Sequence, residues 1–418
     1  MSYISSLRCL LCGREYKPIE VIYTCPRCGY NGILEVNYNY EGIKKVFTKE
    51  SLENNKNFSM WRYLPLLPVD NPSLIGPLNV GWTPLYEAKR MMEYLGVNNL
   101  WIKDDGRNPT ASLKDRASAI AVVKAQEIGM DTLTCASTGN AASSLAGASA
   151  SLGLKNFIFV PKTAPKAKIA QLLVFGATVF AINGTYDQAF DLSIEATENF
   201  GWYNRNTAYN PYMVEGKKTV ALEIAEQMNF DVPDYVFVSV GDGCIISGVH
   251  KGFYDLFNLG FVNKIPKLVA VQAEGCKPIV DAVNGDGVIK YVEPHTIADS
   301  ISVGIPRNGK MAVRDIKESG GFGIAVSDDE ILSSLKLLGS IQGIFAEPAG
   351  ATGFAGFVKS IRQRIISKND KVVVLITGNG LKDVESAIRA GGEPLVIDPN
   401  IDAVKKALEE RLDITRLG

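Results

Sequence analysis

The sequence has almost no net charge, few histidines and no long hydrophobic run. Its 44 Lys plus Arg balance 45 Asp plus Glu, a net charge of −1, so the whole chain has no electrostatic attraction to nucleic acid or anionic lipid. The longest apolar stretches, such as 119–123, are far shorter than the roughly 20 residues that cross a bilayer. The N-terminus also lacks a signal-peptide pattern. We therefore expect a cytoplasmic protein, away from membranes, with reduced thiols.

The remaining composition is that of an ordinary globular protein. Hydrophobic residues make up 46% and charged residues 21%, which excludes extensive disorder and supports a sizeable core. At about 150 residues per domain, 418 residues predict two or three domains. The two histidines, His250 and His295, are interpreted as structural or surface residues.

Four of the seven cysteines lie within twenty residues, as two C-x2-C pairs that are each followed by glycine. This spacing predicts a closed tetrahedral site for a structural Zn²⁺. Two disulfides or four unrelated thiols are the alternatives, and a reducing compartment and the paired spacing disfavour both. The segment has few basic residues and no aromatic stripe, so we interpret residues 1–38 as a structural zinc ribbon and not as a nucleic-acid-binding module. The predicted metal ligands are Cys9, Cys12, Cys25 and Cys28.

Beyond residue 76, short β-branched segments alternate with segments of helical periodicity. This alternation predicts an α/β fold with parallel-rich sheets covered by helices, in which ligands bind where strands end. The predicted strands are 100–103, 132–136, 156–160, 178–182, 235–240, 268–272 and 372–376. The predicted helices are 115–128, 141–152, 167–175, 186–200 and 216–228.

Four loops at predicted strand ends concentrate glycine, hydroxyl and amide residues: 108–116, 136–144, 240–248 and 376–383. In the first, Lys114 begins a helix whose dipole favours the neutral amine, although an exposed lysine is the simpler interpretation. The second could hold a carboxylate or simply cap a helix. The third allows close approach of a phosphate but lacks the P-loop lysine, which disfavours a nucleotide triphosphatase.

As a set, with Gly81-Trp-Thr-Pro-Leu and Phe345-Ala-Glu-Pro-Ala, these loops resemble the fold type II pyridoxal-phosphate enzymes, and most closely the threonine synthase family. Some relatives carry an N-terminal zinc ribbon. The resemblance implies a tryptophan synthase β-like fold with two α/β domains: a large cofactor-binding domain over 39–130 and 211–418, and a small mobile domain over 131–210. It also implies an amino-acid substrate and a homodimer.

The resemblance assigns roles to individual residues. Lys114 matches the lysine that forms the Schiff base with pyridoxal 5'-phosphate and moves the substrate α-proton. Asn140 matches the partner of the cofactor's phenolic oxygen, and Thr377 matches a hydroxyl at the pyridine nitrogen. Because a hydroxyl does not enforce protonation there, elimination and replacement are favoured over transamination. The matching substrate-carboxylate loop is Ser137, Thr138 and Gly139, and the cofactor-phosphate loop is Gly241, Asp242, Gly243, Cys244 and Ile245.

The resemblance fails at one expected phosphate contact. Relatives that use O-phosphohomoserine carry an arginine where this chain has Met213, and Thr207 and Ala208 replace Asn and Ser. The arginine expected before an Ile-Gly pair is also missing, since this chain has Ile301-Ser-Val-Gly. Methionine cannot form arginine's bidentate fork on phosphate. The residues that could supply the charge from a shifted position are Lys217, Arg205 and Arg307.

Three functional hypotheses follow. The leading one is conversion of O-phosphohomoserine and water to threonine and phosphate. The alternative is β-elimination or β-replacement on threonine, serine or phosphoserine, which Met213 favours. The third is a catalytically retired zinc-ribbon adaptor, and the presence of Lys114, Asn140 and Thr377 speaks against it.

Overall fold

A computed structural model describes residues 2–137, 139–162, 164 and 166–416. Strands of the described residues form three separate sheets with three, six and four members. The strands β1 to β13 are, in order, Ile4–Cys9, Glu15–Tyr16, Leu34–Tyr38, Leu85–Glu87, Leu100–Asp104, Thr132–Ala136, Lys155–Pro161, Thr178–Ile182, Tyr203–Asn204, Tyr235–Ser239, Lys267–Ala273, Phe322–Val326 and Val372–Ile376.

Helices pack against these sheets and link their strands. None of those described is long and apolar enough to cross a membrane. The helices α1 to α15 are, in order, Tyr40–Lys44, Lys49–Glu53, Lys89–Leu95, Lys114–Glu127, Asn140–Ala150, Lys166–Val174, Tyr186–Phe200, Tyr212–Gln227, Cys244–Leu259, Pro278–Asn284, Gly309–Glu318, Asp328–Leu337, Pro348–Arg362, Val384–Gly391 and Ile401–Arg416.

The six-stranded sheet has the order β12-β11-β10-β13-β5-β4 and is parallel except for the antiparallel edge strand β4. Its central strands are buried on both faces, because alternate side chains of a strand point to opposite sides. In β10, Val236 and Val238 join one hydrophobic core and Phe237 joins the other. Helix α13 covers one face, while α8, α9 and α4 pack together in the core on the other.

The four-stranded sheet has the order β8-β7-β6-β9 and is parallel throughout. Its first three strands in the chain are those predicted over 132–182, and α5, α6 and α7 cover it. The α/β fold class predicted from the alternation of elements is therefore confirmed. The boundaries of the predicted domains, and the mobility of the smaller one, stay predictions.

The N-terminal ribbon is a small antiparallel sheet of order β2-β1-β3 that contacts the rest of the chain at both ends. At one end, the Tyr23 hydroxyl accepts a hydrogen bond from the Asn204 N–H (2.8 Å) and donates one to the Trp202 carbonyl (3.3 Å). At the other, Tyr38 donates to Glu215 of α8 (2.7 Å). The ribbon thus bridges the four-stranded sheet and a helix that packs beside the six-stranded sheet.

A fully buried ion network joins α4 to α8. The Arg116 Nε donates to Asp105 Oδ2 (2.7 Å), and its Nη2 donates to Glu223 Oε2 (2.8 Å). Lys103 of β5 donates to the same Glu223 oxygen (2.7 Å). All four charged side chains have no exposed surface, and two positive charges balance two negative ones. This network fixes α4, which begins with Lys114, against α8.

Candidate active site

A cavity of about 280 Å³ lies where the carboxyl ends of strands from the six- and four-stranded sheets meet. Its wall includes the segments after β6, β7, β9 and β10, together with Lys114, Lys217 and residues 299–303. This is the edge at which parallel-sheet proteins bind ligands. Most residues predicted for the site line this cavity: Lys114, Ser137, Gly139, Asn140, Gly241, Asp242, Gly243, Cys244 and Ile245. Thr138 lies outside the described residues.

Lys114 is the first residue of α4, as predicted from the sequence. Desolvation in the cavity lowers the pKa of its ammonium group to about 7, and the positive charges of Lys217 and Arg205 act in the same direction. A substantial share of this amine is therefore neutral and nucleophilic near pH 7, when an ordinary lysine is protonated.

This lowered pKa predicts how cofactor-free protein binds pyridoxal phosphate. Because only the neutral amine attacks the aldehyde, the loading rate should rise with pH up to about 7 and then level off. In Lys217→Met one neighbouring positive charge is lost, so the pKa of Lys114 should rise and the midpoint should move to higher pH. Stopped-flow absorbance measures this rate.

The matched control for the loading experiment is Lys155→Met, because this lysine is 71% exposed and does not line the cavity. It should leave the midpoint near pH 7. A midpoint near 10 in the wild-type protein, or the same midpoint in Lys217→Met, would contradict the electrostatic origin of the shift.

Asn140 and Glu347 form a buried pair that the sequence interpretation missed, since Glu347 had been given no role. The Asn140 Nδ2 donates to Glu347 Oε1 at 2.6 Å. Glu347 lies just before α13, and burial raises the pKa of its carboxyl group. The carboxyl group orients the amide and uses one of its two N–H donors, so the other is available to a cofactor oxygen.

The loop from Gly241 to Ile245 fits a phosphate group. Gly243 has φ +89°, and a Cβ there would lie 2.6 Å from the Ala312 side chain, so glycine is required. The loop leads directly into the 16-residue helix α9, whose first N–H groups have no acceptor within the helix and carry partial positive charge. Such a helix start attracts a phosphate, and it faces the cavity that contains Lys114.

Thr377 lies at the end of β13, beside Lys114 in space. Its carbonyl accepts a hydrogen bond from the Leu113 N–H (3.0 Å), and the residue is 7% exposed. Thr377 is not one of the described residues that line the cavity. A hydrogen bond from its hydroxyl to a pyridine nitrogen therefore stays a prediction.

Two buried cations lie in the cavity wall. Arg205 directly follows β9, and its Nε donates to Ser118 Oγ (3.1 Å). Lys217 lies on α8, one helical turn after Met213, and both cations are 1% exposed. Met213 is fully buried in the hydrophobic core and does not line the cavity, so a positive charge enters the site one turn beyond the position at which relatives have arginine.

The third candidate cation, Arg307, is used elsewhere. Its guanidinium donates to Asp187 (2.6 Å) and lies 4.1 Å from the Phe190 ring centre. The structure thus places Arg205 and Lys217 in the cavity wall but not Arg307. The wall segment 299–303 overlaps the Ile301-Ser-Val-Gly stretch to which the resemblance pointed. It was given no role in the site because it lacks the expected arginine, and the fold brings it to the cavity.

The four clustered cysteines fit a closed metal site in the ribbon. Their sulfur atoms lie within 4.8 Å of one another, and the Cys12 and Cys25 sulfurs are 3.8 Å apart. Tetrahedral Zn–S bonds of about 2.3 Å require a sulfur separation of about 3.8 Å. The seven cysteines are free thiols, and these four do not line the Lys114 cavity. Their donor set suits a structural Zn²⁺.

Comparison with known proteins agrees with this site. Residues 77–378 match the family described as pyridoxal-phosphate dependent enzyme. The chain is 41% identical to threonine synthase of Methanocaldococcus jannaschii, over 96% of this chain and 99% of that one. It is 39% identical to threonine synthase of Methanosarcina acetivorans, over 96% and 98%.

Solved structures support the fold. Diaminopropionate ammonia lyase from Escherichia coli gives a TM-score of 0.64 at 19% identity, covering 82% of this chain and 92% of that one. The processed threonine deaminase isoform 2 from Solanum lycopersicum gives 0.63 at 23% identity, covering 74% and 82%. With the sequence matches, these findings confirm the family predicted from the loops: the chain belongs to the threonine synthase family of pyridoxal-phosphate-dependent enzymes.

Proposed function

We propose that the protein converts O-phosphohomoserine and water to L-threonine and inorganic phosphate. Threonine synthases that align over nearly the whole chain support this activity. The structural observation that carries the proposal is the pair of buried cations, Arg205 and Lys217, in the wall of the Lys114 cavity. A substrate with only a hydroxyl leaving group does not need them.

The cavity has separate anion-binding groups for two phosphates. The cofactor and the substrate each bring a phosphate of charge near −2, and the start of α9 is one anion site. Arg205 and Lys217 supply two further positive charges for the leaving phosphate. Desolvation lowers the pKa of Lys114, and the charges of Lys217 and Arg205 add to this effect. The groups that would hold the leaving group therefore also increase the neutral fraction of the amine.

Four other residues of the wall would have parts in this reaction: Lys114, Ser137, Gly139 and Asn140. Bound pyridoxal phosphate would withdraw electrons from the substrate Cα and so acidify its α-proton. Lys114 would hold the cofactor covalently and, once released as a neutral amine, accept that proton. The loop at Ser137 and Gly139, before α5, would hold the substrate carboxylate. Asn140, oriented by Glu347, would donate to the cofactor's phenolic oxygen.

The role of Lys217 predicts a selective effect of Lys217→Met. Loss of one charged contact should raise KM for O-phosphohomoserine about 10- to 100-fold, because such contacts contribute about 1.5–3 kcal/mol. Holoenzyme absorbance should stay at the wild-type level. The measurement is phosphate and threonine release at varied substrate concentration, with Lys155→Met as the exposed control.

The same assay separates the two enzyme hypotheses. Threonine plus phosphate supports the proposed reaction, whereas a 2-oxo acid plus ammonia from threonine or serine supports β-elimination. Loss of cofactor from Lys217→Met, with unchanged KM in the loaded fraction, would instead assign Lys217 to the cofactor phosphate.

For the ribbon we propose a structural Zn²⁺ bound by Cys9, Cys12, Cys25 and Cys28. Cys25→Ser should lower the zinc content by one ion per chain and open the ribbon to trypsin at Arg14 and Arg27, because metal binding and folding of such modules are coupled. Elemental analysis and peptide mapping measure both effects. Cys276→Ser, outside the cluster, should change neither.

We also propose that the enzyme acts in the cytoplasm as a homodimer without nucleic acid. The near-zero net charge supports the absence of nucleic-acid binding. Exposed apolar side chains near the C-terminus support self-association, since such a surface favours burial against another chain. They include Leu395, Val396, Ile401, Val404 and Leu408.

A further inference from the structure

A second cavity, of about 210 Å³, lies between ribbon strand β3 and helices α9 and α11. None of the described residues lines both this cavity and the Lys114 cavity. Its wall includes four carboxylates, Glu35, Glu215, Asp315 and Glu318, against three basic groups, Arg8, Lys251 and Arg314. With a neutral histidine the wall has an excess negative charge, which favours a cationic ligand.

His250 of α9 lies in this wall. The residue is 6% exposed, and its ring makes no hydrogen bond within the described part of the chain. The nearest carboxylate oxygen, Asp315 Oδ1, is 3.7 Å from Nδ1, which is too far for a hydrogen bond. Buried polar groups normally have a partner, so a ring nitrogen at the cavity can bind water or a metal ion that enters it.

Two carboxylates complete a metal-binding arrangement with His250. Asp315 and Glu318 are three residues apart on α11, which puts them on one face of the helix. Ligand atoms of His250, Asp315 and Glu318 all lie within 4.8 Å of one another. One ion with bonds of about 2.0–2.2 Å can contact all three after small side-chain movements.

The surroundings hold this arrangement in place. Arg314 Nη2 donates to Asp315 Oδ1 (2.9 Å), and its Nη1 donates to Glu35 Oε2 on the ribbon (2.7 Å). Metal-binding carboxylates are commonly oriented by such outer partners. Arg314 therefore positions Asp315 and links the cluster to strand β3.

We propose that His250, Asp315 and Glu318 bind a divalent first-row transition metal, with water from the cavity completing its coordination. One imidazole and two carboxylates suit Mn²⁺, Fe²⁺ or Zn²⁺ better than Mg²⁺ or Ca²⁺, which prefer oxygen ligands alone. The metal would join α9 to α11. Because α9 begins at the Cys244 end of the phosphate loop, the ion would stabilise the helix that presents this loop.

Mn²⁺ titration of the zinc-loaded, full-length holoenzyme tests the proposal, because Mn²⁺ binds thiolates weakly and leaves the cysteine site occupied. Electron paramagnetic resonance of free Mn²⁺ should give one bound ion per chain. Glu318→Gln and His250→Ala should each raise Kd at least about tenfold. His295→Ala, which removes the other histidine at an exposed position, should leave Kd unchanged.

Folding is checked separately by cofactor absorbance and circular dichroism. Glu318 is exposed, so Glu318→Gln tests the site even if a change at buried His250 disturbs packing. Nitrogen hyperfine coupling on the bound Mn²⁺ that is present in the wild type and in His295→Ala would support His250 as a ligand. Absence of Mn²⁺ binding to the wild type, or binding as tight as in the wild type in both Glu318→Gln and the double variant with His250→Ala, would overturn the proposal.

Discussion

Lys114→Ala is expected to reduce kcat for threonine formation by at least about 10³-fold. The substitution removes both the covalent link to the cofactor and the base that accepts the substrate α-proton, and one positioned base alone contributes about 10²–10⁴-fold. Its lowered pKa of about 7 suits that task near neutral pH. Steady-state rates with O-phosphohomoserine, compared with spectra of the bound cofactor, measure the loss.

Borohydride reduction locates the bond directly. In the wild type, reduction followed by peptide mapping should label Lys114 and no other residue. Lys217 is the informative comparison, since it lines the same cavity and burial also lowers its pKa. Label at Lys217, or undiminished turnover in Lys114→Ala, would disprove the assignment.

The largest expected effect on stability comes from Arg116→Met. Removing this guanidinium leaves the carboxylates of Asp105 and Glu223 buried with only the Lys103 ammonium to balance them. Breaking a buried ion pair in this way typically costs about 3–5 kcal/mol. Urea denaturation should therefore show a lower midpoint for the transition that unfolds α4 and α8.

A second substitution separates charge from packing. Combining Arg116→Met with Asp105→Asn removes one buried negative charge and should recover part of the lost free energy of unfolding, a coupling that a simple packing defect would not produce. Lys44→Met is the surface control, because its exposed pair with Glu41 contributes at most about 1 kcal/mol. Equal losses in Arg116→Met and Lys44→Met would contradict the network's importance.

The strands with continuous β-branched sequence were predictable from local pattern. The segments 132–136, 178–182 and 372–376 were predicted with the observed bounds, and the helix after Lys114 was placed within one residue. Strand β12 was missed: its sequence Phe-Gly-Ile-Ala-Val follows two glycines and resembles a turn, and it becomes a strand by pairing with β11. Its structure thus depends on tertiary contacts, which override local propensity.

The site shows the same division between local and distant information. Lys114, Asn140 and the loop 241–245 lie in motifs at strand ends, so their place in the site can be predicted from the order of strands and helices along the sequence. Glu347 reaches Asn140 across 207 residues, and no local spacing indicates that contact. The choice among Arg205, Lys217 and Arg307 likewise depended on which side chains the folded helices and loops bring to one cavity.

The ribbon's attachment at both ends limits how the molecule can move. The Tyr23 hydroxyl accepts a hydrogen bond from the backbone N–H of Asn204, the residue just before Arg205. The Tyr23 ring stacks on Tyr209 with ring centres 4.5 Å apart. At its far side the same module is fastened to Glu215 through Tyr38. Any rotation of the four-stranded sheet relative to α8 would therefore have to move the ribbon with it or break the contacts of Tyr23 or Tyr38. The position of Arg205 relative to a ligand in the cavity therefore depends in part on the ribbon, although none of the ribbon's described residues lines that cavity.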